Sequence, residues 1–152
     1  MSEYRIEKVR RTVMLRLSDG ATVSGDVFLQ PTARFRAGPQ HPSDLFNEPE
    51  PFIPIATVDE ELVLIAKDQI AHVQFPADGA DTHLEGIADA AVDLWLADGT
   101  VLNGVVRFAT RADRSRLLDF LNDDDQRFLT LQTPFGTCLV NRRHITQVRQ
   151  RE

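Results

Sequence analysis

Residues 13–20 read VMLRLSDG, and residues 92–99 read VDLWLADG. In both stretches an apolar residue occupies every second position, which is typical of a β-strand with one buried face. Both end in Asp-Gly, a strong signal for a tight hairpin, because glycine adopts a positive φ without steric cost. The sequence therefore predicts a β-hairpin at the same point of two similar segments.

Three further blocks recur in the same order and extend the likeness over most of the chain. The first block continues without a gap into a return strand with an internal glycine, and the three further blocks are an Asp-x-x-Asn segment, a Phe-led apolar block and a closing Ile-x-x-Val. The matched residues are Gly25, Val27 and Leu29 with Gly104, Val106 and Phe108; 44–47 with 119–122; Phe52, Ile53 and Ile55 with Phe128, Leu129 and Leu131; and Ile70 and Val73 with Ile145 and Val148. We interpret the chain as an internal duplication.

Each segment is predicted to contain two strands, a short helix and three more strands. Leu117, Leu118, Phe120 and Leu121 lie on one helical face, and Asn122 is expected to end this helix in a left-handed conformation. Its counterpart Asn47 is expected to terminate the first helix. The fold class predicted is mainly β with short helical inserts, as a tandem pair of small barrels. We expect a first repeat at 1–75, a linker at 76–90 and a second repeat at 91–152.

Residues 13–27 and 92–106 resemble the opening motif of Sm-like proteins. Both have alternate apolar residues, then Asp-Gly, a later glycine and an apolar position. Residues 140–145, VNRRHI, are similar to the closing Sm motif but lack its glycine, and the helical insert is foreign to that pattern. The resemblance implies two Sm-like or SH3-like barrels and, as one function, RNA binding. It implies RNA contacts at Arg142 and Arg143.

A second resemblance covers most of each repeat. SDLFN at residues 43–47, followed by FIPI at residues 52–55, is similar to an uncharacterised bacterial domain family with Asp-aromatic-Leu-Asn and then Phe-Leu-x-Leu. That family has no assigned biochemical role. The resemblance implies a fold and carries over no catalytic residues.

The charge balance argues against nucleic acid as the partner. The chain has 17 Lys+Arg and 23 Asp+Glu, a net charge of −6, and the halves on either side of Phe75 carry equal negative charge. If nucleic acid does bind, the candidate contacts are Arg107, Arg111, Arg142 and Arg143. We expect no binding to single-stranded RNA tighter than about 10 μM at physiological salt.

No arrangement of residues resembles an active site. The four histidines lack metal-ligand spacing, and the single cysteine, Cys138, lies in an apolar strand. Asp44 and Asp119 recur, but carboxylates in short helices commonly bond to nearby backbone groups. The sequence therefore predicts no catalytic, cofactor-binding or metal-binding residues.

The sequence favours a non-enzymatic binding or scaffolding module that acts through protein–protein contacts, with a protein partner or self-association. The alternatives are an Sm-like RNA-binding protein and a small-molecule sensor or enzyme in the cleft between the repeats. No apolar run is long enough for a membrane helix, residues 1–11 lack the apolar core of a signal peptide, and a disulfide within the chain is impossible. These features favour a cytoplasmic protein, and the resemblance to a bacterial domain family implies a bacterial source.

The alternation also predicts which side chains face the core. We expect burial of Phe52 and Phe128, together with Val13, Leu15, Leu17, Val92, Leu94 and Leu96. Trp95 alternates with Leu94 and Leu96, so it and its counterpart Arg16 are expected on the outer face. Trp95 is a candidate for an interface, because a large indole is seldom left wholly in water.

Overall fold

The computed structural model describes residues 8–32, 38–77, 87–109, 116–123 and 126–151. These residues form ten β-strands and two short α-helices. The strands are β1 Val9–Leu17, β2 Thr22–Leu29, β3 Phe52–Thr57, β4 Leu62–Ala66, β5 Ile70–Phe75, β6 Ile87–Leu96, β7 Val101–Ala109, β8 Phe128–Thr133, β9 Gly136–Asn141 and β10 Ile145–Arg151. The helices are α1 Pro42–Phe46 and α2 Leu117–Asp123, and single 3-10 turns precede β5 and β10.

Asp19-Gly20 and Asp98-Gly99 lie at the tips of two hairpins with the same bonds. The φ angles of the glycines are 91° and 90°. The Asp19 carboxylate accepts a hydrogen bond from the backbone N–H of Ala21, and the Asp98 carboxylate accepts one from Thr100, each at 2.9 Å. The aspartate thus holds the turn and the glycine supplies its positive φ, as the sequence predicts.

All ten strands belong to one antiparallel sheet in the order β10-β6-β7-β8-β9-β5-β1-β2-β3-β4. The mainly β fold with short helices is therefore confirmed. The barrels are not, because the sheet is unclosed. β4 and β5 would have to pair to close the first barrel, but β5 pairs instead with β9, with His72 opposite Val140 and Phe75 opposite Thr137.

Gly25 and Gly104 lie where the sheet narrows between neighbouring hairpins. Only Gly25 and Asp26 of β2 pair with β3. A Cβ atom on Gly25 would lie 2.5 Å from the carbonyl oxygen of Ala56, and one on Gly104 would meet the carbonyl oxygen of Gln132. These glycines permit the close approach of two backbones, which is one of the reasons for glycine inside a strand.

The core consists of two apolar clusters that the halves share. The first contains Phe128 and Leu139 from the later half, and the second contains Ala71 from the earlier half. The predicted inward-facing residues Val13, Leu15, Val92, Leu94 and Leu96 are buried, and Leu17 is half-buried. The halves are therefore packed into each other along the β5–β9 junction.

The two phenylalanines that were expected in the core differ. Phe128 is 0% exposed and meets the ring of Phe46 edge-on, with the ring centroids 5.7 Å apart. Phe52 is 57% exposed, so its predicted burial is wrong. The physical reason is that β5, which pairs with β9, and α1 cover the region around Phe128, whereas β4 is the last strand of the sheet.

The connection between the halves follows β5, which ends at Phe75, and is shorter than the segment 76–90 that the sequence indicates. β6 starts at Ile87, inside the segment 76–90 that the sequence indicates as a linker, and residues 78–86 lie outside the described part. Among the described residues, no helix has the length and apolar character needed to cross a membrane.

Candidate functional site: the open edges of the sheet

An exposed apolar patch covers one face of the β3–β4 hairpin. Register places Phe52, Pro54, Leu62 and Leu64 on this face, because Pro54 lies opposite Leu64 and Phe52 opposite Ala66. Leu62 is 62% exposed and Leu64 is 64% exposed. We call these four residues the hairpin patch. It lies beside an edge of the sheet where β4 has β3 as its one neighbour among the described strands.

The opposite edge of the sheet is β10, which is polar and positively charged. Gln147, Arg149, Gln150 and Arg151 are exposed, and Val148 is half-buried. Acidic residues stand at the other edge, where Asp59, Glu60 and Glu61 precede β4 and are exposed. The two edges therefore carry opposite charges.

The arginines that the sequence suggests as nucleic-acid contacts make separate contacts within the chain where the structure describes their bonds. Arg142 donates from Nη2 to the carbonyl oxygen of Leu121, and its guanidinium carbon lies 6.0 Å from the centroid of the Phe120 ring. Arg107 forms an ion pair with Asp89 at 3.1 Å. Arg143 is exposed, and Arg111 lies outside the described residues. Arg142 thus satisfies a carbonyl of α2, the role that Lys67 has at α1, where Nζ donates to Leu45 and Glu48.

The candidate interface residues occupy matched positions on the outer face. Trp95 is half-buried between Val101 of β7 and Gln147 of β10. Arg16 is exposed, and its Nη1 donates to the carbonyl oxygen of Gly20 at 2.8 Å. Trp95 is therefore one strand away from the β10 edge, which places it near any strand that joins there.

The titratable groups give no convergent chemistry in the described part of the chain. Burial raises the pKa of the Cys138 thiol to about 12, so it stays protonated, and burial lowers the pKa of His72. Among the described residues no cluster of three His, Cys, Asp or Glu side chains is suited to hold a metal ion. His83 lies outside these residues.

A pocket of about 600 Å³ lies between the halves, at the place of the predicted inter-repeat cleft. Phe75 and Pro76 line it from the first half, and Leu102, Asn103 and Phe135 from the second. No Asp, Glu, His, Lys or Arg is among the described residues around it. The ionisable side chain among those residues is Cys138, and burial raises the pKa of its thiol to about 12, so it is poorly suited to acid–base chemistry near neutral pH.

Asn47 joins the two halves, a role that the sequence did not reveal. The Phe128 N–H donates to Oδ1 of Asn47 at 2.7 Å, and Nδ2 of Asn47 donates to the Phe128 carbonyl at 3.3 Å. Asn47 follows the last residue of α1, as predicted, whereas Asn122 lies within α2, so its predicted left-handed conformation is wrong. The recurrence of Asp-x-x-Asn was the available signal, but its long-range partner depends on the β5–β9 junction.

No family model, curated protein or solved structure matches this chain.

Proposed function

We propose that the chain is a non-enzymatic scaffolding module, built from two units related by internal duplication, that binds protein by strand addition at the open edges of its sheet. The observation that carries the proposal is the hairpin patch beside the open edge of β4. Unpaired backbone groups supply hydrogen bonds to an added strand, and alternate side chains supply specificity.

The repeated architecture supports the duplication. Each half contributes five adjacent strands in the same relative order, β5-β1-β2-β3-β4 and β10-β6-β7-β8-β9. In each half, the backbone N–H that follows the first strand donates to a carbonyl of the 3-10 turn before the last strand. Ser18 donates to Gln69, and Ala97 donates to His144, both at 2.8 Å. Two unrelated segments have no physical reason to share these bonds.

The composition of β4 supports strand addition. Its sequence is LVLIA, with neither the lysine nor the proline by which edge strands commonly avoid pairing. Exposed apolar patches of this kind commonly mark interaction sites. The charge of Glu61 at its start would orient a partner strand that carries arginine or lysine, while Glu60 already forms an ion pair with Arg10 at 3.2 Å.

The test is site-specific photo-cross-linking in cells. A photoreactive residue at Leu64 is expected to join a protein, whose cross-linked peptide is identified by mass spectrometry. The matched control is the same residue at Phe135, an apolar side chain that is 97% exposed at the β8–β9 turn, away from both edges. Cross-links from Leu64 to nucleic acid alone, or none at all, would contradict the proposal.

A further inference from the structure

The two hairpins β3–β4 and β8–β9 correspond residue by residue. The N–H of Lys67 donates to the Pro51 carbonyl at 2.8 Å, and the N–H of Arg142 donates to the Arg127 carbonyl at 2.9 Å. Counting from these bonds along the strand registers, Phe52 corresponds to Phe128 and Leu64 to Leu139. The hairpin patch therefore has a counterpart in the second half.

That counterpart is completely covered. Phe128 and Leu139 are both 0% exposed and belong to the core cluster of the first half. The cover consists of β5, whose Val73 lies opposite Leu139, and of α1, whose Phe46 contacts Phe128. The first half thus shows, within one chain, what packs on such a hairpin.

The strand that corresponds to β5 is β10, and it lies at the other end of the sheet without a second neighbour among the described strands. Each chain therefore has one uncovered hairpin and one unused covering strand. The exposed leucines of β4 occupy positions that are buried in β9, where Thr137 is 8% exposed and Leu139 is 0% exposed. This is the pattern of an interface whose partner is another copy.

We propose that copies of the chain associate head to tail, with β10 of one copy pairing antiparallel with β4 of the next in the register that β5 has on β9. This inference rests on the proposed function and names the partner. In this register Val148 lies opposite Leu64, and Gln150 lies opposite Leu62. A one-residue slip would turn the leucines to the opposite face, so the register is strongly specified.

The helix contacts repeat as well. Asn122 corresponds to Asn47, and Leu121 corresponds to Phe46, by the Asp-x-x-Asn match. In the head-to-tail pair, Leu121 packs on Phe52 of the next copy, and the Asn122 amide meets the backbone of Phe52. Asn122 is exposed in the single chain, as is Phe52, so both are open to this contact.

Charge favours the same pairing. Continuing the register by one step places Arg151 of β10 opposite Glu61, and Arg149 lies diagonal to Glu61 on the same face. Arg151 already has an ion pair with Asp93 at 3.2 Å in its own chain. The contribution is therefore to orientation more than to affinity, because pairs at an exposed rim are weak.

One difference makes the contact between copies weaker than the junction within a chain. Asn141 donates from Nδ2 to the carbonyls of Ile70 and Lys67, at 2.9 and 3.4 Å. Its counterpart is Ala66, which has no polar side chain. The association between copies is therefore reversible, and a head-to-tail contact gives a ring if the rotation closes and a filament if it does not.

The first experiment measures the mass of the purified full chain by sedimentation over a wide range of concentration. We expect oligomers that grow with concentration. Leu64→Glu should weaken association by roughly ten- to a hundredfold, since burial of one leucine side chain is lost. The control Phe135→Glu makes the same change of charge at an exposed apolar residue and should associate like the unmodified chain. Circular dichroism checks that both variants are folded.

The second experiment tests the register with cysteine pairs. Leu64→Cys with Val148→Cys places two thiols opposite each other between copies, so mild oxidation should give a ladder of disulfide-linked oligomers. Leu64→Cys with Gln147→Cys is the matched control, since Gln147 points to the other face of β10. Cys138 is 1% exposed in the unmodified chain, so its buried thiol should not compete in this oxidation.

Three results would overturn the proposal: a monomer at every concentration, equal weakening by both glutamate variants, or equal disulfide yields from both cysteine pairs. If the chain is monomeric while the photoreactive residue at Leu64 still joins a different protein, head-to-tail association fails and the proposed function stands. If no protein is joined at all, both fail.

Discussion

The hairpins β3–β4 and β8–β9 have the same strand register and opposite surroundings. Phe52 is 57% exposed where Phe128 is 0% exposed, and Leu64 is 64% exposed where Leu139 is 0% exposed. The sequence pattern of the two hairpins does not explain the contrast. The neighbouring strand does, because β9 has β5 beside it and β4 is at an edge. The exposure of a hairpin's side chains in this sheet therefore depends on which strand pairs with its outer edge.

The largest difference is expected between the two phenylalanines. Phe128→Ala should lower the free energy of unfolding by about 3–5 kcal/mol, because it leaves a cavity in a packed core. Phe52→Ala should lower it by less than about 1 kcal/mol, as expected for a surface side chain. Chemical denaturation at low concentration, with the copies apart, measures both. Equal losses would show that the hairpins do not differ as described.

The next contrast is between the two asparagines. Asn47→Ala should cost about 1–3 kcal/mol, since it leaves the Phe128 N–H and carbonyl without their side-chain partner. Asn122→Ala, at an exposed position, should stay within about 0.5 kcal/mol. The same denaturation experiment applies. A neutral Asn47→Ala would show that this amide does not hold the halves together.

A smaller contrast concerns pH and the strands β5 and β10. Desolvation by burial and the positive charge of Arg16 lower the pKa of His72 below its ordinary 6.5, while Asp98 opposes them. His72 therefore takes up a proton more readily in the unfolded chain than in the folded chain. As a result, the free energy of unfolding falls as the pH drops through 6.5.

The corresponding residue of β10 is Gln147, which supplies the matched variants. His72→Gln should reduce the loss of stability on acidification, and Gln147→His, at an exposed position, should leave it unchanged at low concentration. Denaturation curves recorded above and below pH 6.5 compare them. An identical pH dependence of His72→Gln and the unmodified chain would be the contrary result.

The smallest effect is expected with RNA. Labelled single-stranded RNA should bind no tighter than about 10 μM at physiological salt, because the net charge is negative and Arg107 and Arg142 have partners within the chain. Replacing Arg142 and Arg143 by alanine should change little. Submicromolar binding that weakens in this double variant would instead favour the RNA-binding alternative.

Local features of the fold were predictable because they depend on local chemistry. The alternation around Leu15 and Leu94 predicts buried faces, and Asp-Gly predicts both hairpin tips. The recurrence of Gly25 and Gly104 inside the return strands is visible in the sequence, but their reason, the close approach of two backbones, is visible only in the structure.

The sheet's topology was not predictable in the same way. Whether β5 pairs with β4 or with β9 depends on the relative free energies of two long-range arrangements, and no residue in IAHVQF distinguishes them by type. The exposure of Phe52 and the role of Asn47 both follow from that choice. The sequence therefore predicts protein–protein contacts in general terms, but which residues lie at an open strand edge depends on the topology.

The most direct test is hydrogen–deuterium exchange of the backbone amides of β4 and β10 as a function of protein concentration. We expect the amides of both strands to become protected together as the concentration rises, with no change in β5 and β9, which are already paired within the chain. Leu64→Glu should abolish this joint protection. Exchange in β4 and β10 that is independent of concentration, in a chain that remains folded, would contradict the account.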